Sequence, residues 1–258
     1  MVRSGRLTTI RPGMGQAIMN TLLILGFGPQ GWGRLLLGAM LMTLAVTLAS
    51  LALGAVIGAL LTVAKLSRNL GWRVFANGYT TVFRGVPELL IIYFVYFGGS
   101  SLVNMVASSF GITGFLGMPS FLAGVIAIGV ISGAYQAEVF RGAYTSIVKG
   151  EIDAAHAYGM PKWLRFRRII APQILRFALP GLGNVFQLTL KDSALISVTG
   201  LVELMRGAQI AGGSTHLYFL FYITGGILYL VLTSLSGQVF GMAEARVNRS
   251  FPRGIGRS

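Results

Sequence analysis

The sequence predicts an all-α integral membrane protein with about five transmembrane helices, and three observations carry that expectation. Of the 258 residues, 54% are hydrophobic and only 11% are charged, where a soluble domain carries roughly 25%. The mean hydropathy is +0.72. Apolar runs of bilayer-spanning length recur along the chain, separated by short charged connections. A soluble fold of this size has no interior large enough to hide so much apolar surface.

Residues 1–33 form an N-terminal tail that carries Arg3, Arg6 and Arg11. Within it, residues 14–28 are apolar but too short to cross a bilayer, so they read as an interfacial helix. No small-x-small cleavage site follows them, so a signal peptide is not expected. If they crossed instead, they would form a sixth span and bring the N-terminus inside.

The first span is the charge-free run of 30 residues at 35–64. At ~1.5 Å per residue it is roughly 45 Å long against a core of ~30 Å, so it tilts or projects at one end. Lys65, Arg68 and Arg73 close it. Gly54 and Gly58 form a G-x-x-x-G spacing that suits close helix packing. The second span is expected at 75–97, and it contains Arg84, Gly85, Val86, Pro87 and Glu88. Residues 98–117, rich in Gly, Ser, Asn and Thr, read as a neutral outer loop. The third span is expected at 118–140. A fourth begins near Ile174 and runs into Lys191 and Asp192. Residues 200–215 read as broken and partly exposed, and a fifth span covers 217–243. The transmembrane domain is therefore placed at 34–245, with a charged loop at 141–179 and a basic tail at 246–258.

Five spans put the termini on opposite sides. With the N-terminus outside, 14 of the 21 Lys and Arg fall on the inner side and five on the outer, while Arg84 and Lys191 lie within spans. This is the positive-inside pattern. It predicts a multi-pass inner-membrane protein with a cytoplasmic C-terminus. It also accounts for the net charge of +14 through membrane lipid, with no nucleic acid as partner. The absence of cysteine excludes disulfides, thiolate metal sites and cysteine nucleophiles.

The polar stretch at 150–172, GEIDAAHAYGMPKWLRFRRIIAP, interrupts the apolar sequence. Glu151 to Tyr158 suits a short alanine-rich helix with Gly159 as its stop. Pro161 suits the first turn of a second helix, which carries Trp163, Phe166 and Ile170 on one face and Lys162, Arg165, Arg167 and Arg168 on the other. Pro172 is expected to end it. Such an element could lie on anionic headgroups or dock on a partner in the cytoplasm. The small first helix suits insertion into a partner's groove.

Asp153, Ala154, Ala155, Gly159, Ile169 and Pro172 fall at the spacings EAA-x3-G-x9-I-x-L-P. The segment thus resembles the EAA loop of ATP-binding-cassette importer permeases. It departs from the pattern in having Asp153 for Glu and Ala171 for Leu. The segments at 84–90 (RGVPELL), 134–142 (AYQAEVFRG) and 190–195 (LKDSAL) resemble permease subunits for polar amino acids, nearest the branch for histidine, lysine/arginine/ornithine and opines. Ser193 and Ala194 depart from the usual K-D-T-S-L. The resemblance spans roughly residues 34–245.

It implies a type I importer permease fold and a complex of two permease subunits, non-identical in this branch. Cytoplasmic ATP-binding-cassette ATPases and an extracytoplasmic amino-acid-binding protein complete that complex. The loop would be the coupling helix, with Gly150, Glu151, Asp153, Ala154, Ala155, Gly159 and Pro172 serving the ATPase contact. ATP and Mg2+ would reside in the partner. The chain has no G-x4-G-K-[ST] loop to cradle phosphates, so it is not expected to be an enzyme or to bind a cofactor itself.

Three acids stand at apparent membrane depth, where charge needs a partner or water. Glu138 is three residues from Arg141 and is expected to be structural, as are Pro87 and Tyr135 in their motifs. Glu88 lies four residues after Arg84, on the same helical face, and Asp192 adjoins Lys191. Glu88 and Asp192 beside broken helices suit a pathway for a cationic substrate, with Arg84, Gln187 and Ser193 as further polar candidates. His156 is expected to be a contact residue and His216 to sit at the outer interface. Two distant histidines give no metal site. The alternative reading is a stand-alone secondary transporter or channel that uses these acids as a proton or ion relay. It lacks an inverted repeat and leaves the docking element without a purpose. An intramembrane enzyme has no His–Glu or Ser–His spacing to support it.

Overall fold

The structure is a computed structural model that describes residues 21–249, apart from Leu22, Gln30 and residues 112–116. The expected interfacial segment at 14–28 lies mostly outside the described residues, as do Arg253 and Arg257. The architecture is wholly helical. In order come α1 (Gly33–Lys65), α2 (Leu70–Gly85), α3 (Glu88–Ser109), α4 (Ser120–Thr145), α5 (Lys149–Ala157), α6 (Lys162–Thr199), α7 (Leu204–Thr215) and α8 (Tyr218–Arg249). Five of them, α1, α3, α4, α6 and α8, are long and apolar enough to cross a membrane.

The bundle is built around α4, the most enclosed of the five. Its most extensive partner is α1. Glycines bring the two together. A Cβ on Gly54 would stand 2.7 Å from Gln136 Nε2 and 3.0 Å from Gly133 N, and one on Gly58 would stand 2.9 Å from Gln136 Cβ. From the other side, Gly133 faces Ile57 and Gly129 faces Leu53 at 2.7 Å. Backbones this close can exchange polar contacts: Thr62 Oγ1 donates to Ala137 O at 3.1 Å and Gln136 Nε2 to Leu51 O at 3.1 Å. The G-x-x-x-G spacing is thus a packing seam.

The second span differs from the sequence expectation. Val86 is extended (φ −90, ψ 138), as a residue preceding proline prefers. Pro87, without an N–H, stands at the start of α3. The chain breaks there, so α2 is a separate helix and the crossing runs over Glu88–Ser109 rather than 75–97. The expected outer loop at 98–117 is helical as far as Ser109. Its polar side chains turn back on the helix: Ser100 Oγ donates to Tyr96 O at 2.7 Å, Ser101 Oγ to Phe97 O at 3.0 Å, and Asn104 Nδ2 to Ser100 O at 2.8 Å. That satisfies them without water.

The fourth span begins at Lys162, not Ile174, and Pro172 does not end a helix. The turn at Phe166–Ile170 widens to a π-turn in which Ala171 N–H reaches back to Phe166 O. This relaxes the winding just before a residue that cannot donate. Pro161 stands at the N-cap, one position before the first turn. Residues 200–215 are not broken throughout. Gly200, at φ +87, ends α6, and α7 follows with Leu204, Gly207, Ala208, Ala211 and Gly212 buried against the bundle.

The seam makes a quantitative prediction. Gly58→Ala forces a methyl into Gln136 and should cost about 1–3 kcal/mol. Gly38→Ala, with nothing within 4 Å of the new methyl, should be neutral or slightly stabilising. Thermal unfolding of the two variants in detergent checks the difference.

Candidate functional site

The candidates from the polar stretch lie together on α5 and its exit. Glu151 in the first turn and His156 in the last suit the helix dipole. Gly159 adopts φ +72, where a side chain would be strained. Gly159 N–H reaches His156 O at 2.9 Å and Met160 N–H reaches Ala155 O at 3.1 Å, a Schellman ending. Ala155 is buried, while Gly150, Asp153, Ala154 and Tyr158 are exposed. Beside them opens a hollow of about 410 Å³ lined by Glu151, Ala154, Tyr158, Met160, Arg168 and Gln173. Gln173 Nε2 donates to Glu151 Oε2 and ties α5 to the first turns of α6. Pro172 is its neighbour inside α6. Trp163 and Phe166 stack at 6.0 Å, both exposed.

The second group lies at two helix discontinuities. Glu88 opens α3 directly after Pro87, and Asp192 ends the α-helical part of α6 before it tightens to 3-10 winding at Ser193–Thr199. Both are half-buried. Asp192 stands close enough to Glu88 for their charges to interact, with Lys191 contributing the opposite sign. The break at Pro87 removes the shared face expected of Arg84 and Glu88, and among the described residues no ion pair joins them. Arg84 instead lies over the Tyr135 ring, 5.4 Å from its centre. No ion pair joins Lys191 to Asp192 either, since adjacent residues diverge on a helix. Gln187 is half-buried one turn earlier, whereas Ser193 is fully buried and donates to Leu190 O at 2.7 Å.

Glu138 belongs to a third cluster. Its carboxylate takes Lys65 Nζ at 2.6 Å and Arg141 Nε at 2.8 Å. Lys65 Nζ also donates to Thr80 Oγ1 at 2.7 Å and Asn77 Oδ1 at 2.9 Å. One ammonium thus joins α1, α2 and α4. Its side chain is only 5% exposed.

Sequence reasoning missed Gln173, which lies just past the edge of the polar stretch. It also missed Glu203 and Tyr229. Glu203 is fully buried and accepts from Met205 N, Arg206 N and Tyr229 Oη. The available signal was an acid directly before an apolar helical pattern and after a glycine, the place of an N-cap. Among the described residues no cluster of His, Asp and Glu could hold a metal.

Comparison with known proteins decides the family. Residues 54–249 match the family model described as binding-protein-dependent transport system inner membrane component. The chain belongs to this family. The permease is 54% identical over 232 residues to the octopine transport system permease protein of Rhizobium radiobacter, covering 90% of this chain and 98% of that one. It is 39% identical over 216 residues to the histidine/lysine/arginine/ornithine transport system permease protein of Escherichia coli, covering 84% and 94%. A crystal structure of an amino acid ABC transporter with histidines superposes with a TM-score of 0.70 at 32% identity, over 83% of this chain and 95% of that one. The permease therefore has the type I importer fold, and the stand-alone transporter alternative finds no support.

Removing the charge of Glu138 leaves a buried ammonium without its counter-ion. Glu138→Gln should lower the stability of the permease by about 3 kcal/mol, read as a drop in its unfolding temperature. Arg141→Gln, which removes only the exposed partner, should cost less than about 1 kcal/mol.

Proposed function

We propose that this permease is a membrane subunit of an ATP-driven importer that carries a cationic amino acid or an opine such as octopine across the inner membrane. Its relatives carry such substrates by name. The observation that carries the substrate reading is that Glu88 and Asp192, at two helix breaks, lie close enough for their charges to interact. Two carboxylates with a single adjacent cation leave a negative excess, which suits a guanidinium or ammonium group. Arg84 and Gln187 are polar groups along the same path. Broken helices present backbone groups to a ligand without leaving them stranded in lipid.

Energy comes from a separate ATPase subunit, which holds ATP and Mg2+; the permease binds no cofactor of its own. The docking surface is α5 with Gly150, Glu151, Asp153, Ala154 and Gly159. Ala155 and Pro172 seat it on the bundle. The full assembly also contains a second, non-identical permease and an extracytoplasmic amino-acid-binding protein. The positive-inside charge distribution supports an outer N-terminus and a cytoplasmic α5 and C-terminus.

Two measurements test this. Asp192→Asn in the reconstituted importer should cut uptake of labelled octopine at least tenfold, about 1.4 kcal/mol or more of lost interaction, with the ATPase still bound. Unchanged uptake rejects the substrate pathway. Ala154→Arg places a bulky charge on the exposed face of α5 and should abolish co-purification of the ATPase while membrane insertion persists. A stable complex that still transports rejects the docking surface.

A further inference from the structure

Glu203 takes no part in the pathway proposed above, yet it is fully buried. Its oxygens receive three donors. Met205 N–H and Tyr229 Oη reach Oε2, each at 2.9 Å, and Arg206 N–H reaches Oε1 at 2.8 Å. All three give hydrogen bonds and none takes one, the surroundings suited to a carboxylate. Among the described residues no Lys or Arg pairs with it, so the start of α7 supplies the favourable field. The remaining first-turn donor, Leu204 N–H, goes to Thr43 Oγ1 of α1 at 3.0 Å. The Tyr229 hydroxyl, from α8, also lies near Thr43 and Ser193. The carboxylate thus takes donors from α7 and α8, and its neighbours Leu204 and Tyr229 bring Thr43 of α1 and Ser193 of α6 close to it.

A helix start needs only a Ser, Asn or Asp to cap it. Glutamate is longer, and burying its charge is costly. The extra reach is used on Tyr229, and Tyr229 lies near Ser193, the residue after Asp192. There α6 changes from α to 3-10 winding, a conformation with poorer hydrogen bonds that rarely persists unsupported. We infer that Glu203, acting through Tyr229, is a positioning residue: it holds the corner of α6 at Ser193 so that Asp192 faces the cationic end of the substrate. The inference rests on the reading of Asp192 as a pathway residue.

The test uses the complete importer in nanodiscs and equilibrium binding of radiolabelled octopine. Tyr229→Phe removes one hydroxyl and keeps the ring. It should weaken octopine binding roughly tenfold, about 1.4 kcal/mol, while the buried carboxylate left short of a donor lowers the unfolding temperature. In an Asp192→Asn background, Tyr229→Phe should weaken binding no further, because the effect passes through Asp192. Thr43→Val offers a second route to the same loss, and Thr43→Ser, which keeps the acceptor, should restore wild-type affinity. Additive losses in the double variant overturn the positioning role. So do wild-type affinities in both Tyr229→Phe and Thr43→Val beside a weakened Asp192→Asn. Wild-type affinity in Asp192→Asn itself overturns the pathway reading and the inference with it.

Discussion

Where α1 and α4 cross, glycines on each helix let side chains of the other lie against the backbone. Apolar burial gives helices little reason to associate in lipid, since the tails are as apolar as leucine. Contact must come from close approach, and close approach needs positions without a Cβ. Gly54 and Gly58 on one helix and Gly129 and Gly133 on the other supply them. Once the backbones are that near, Thr62 and Gln136 can bond across the interface to main-chain carbonyls. The remaining helices assemble on this pair. α6 and α2 pack on α4, and α7 lays Gly207 against Ala39 of α1.

A second constraint follows from the same environment. In hydrocarbon, every freed backbone group must find a partner, so irregular winding occurs only where something is arranged to receive it. The break at Pro87, the widened turn before Pro172 and the tightened turn after Asp192 each meet that condition differently. Proline itself removes a donor in the first two. In the third, the Ser193 hydroxyl bonds Leu190 O, and Glu203 with Thr43 takes the donors at the start of α7. The candidate substrate acids stand beside the first and third breaks, where a protein group can still reach a polar ligand.

Much of this was legible in the sequence. The number of crossings, the Gly159 stop and the glycine seam all follow from residue type and spacing, because each depends on local geometry or on the composition of one helix. The errors share a cause. Ser100, Ser101 and Asn104 look like loop residues, yet in a membrane their side chains can bond within their own helix and leave it intact. Pro172 looks like a terminator, yet one wider turn accommodates it. Arg84 and Glu88 look paired, yet the pairing assumes a helix that Pro87 has already interrupted. The triad of Lys65, Glu138 and Thr80 and the convergence on Glu203 were not legible, since they join residues from helices distant in sequence.

The continuity of α6 has a mechanical consequence. From Lys162 to Asp192 the backbone is one helical column, anchored near its lower end to α5 by the Gln173–Glu151 bond. A helix resists compression along its axis far better than it resists bending. Displacement of α5 is therefore delivered to Asp192 as a thrust along the column rather than dissipated in a flexible joint. Pro180, inside the column between Gln173 and Asp192, interrupts its hydrogen bonding and is the place where that strut has slack.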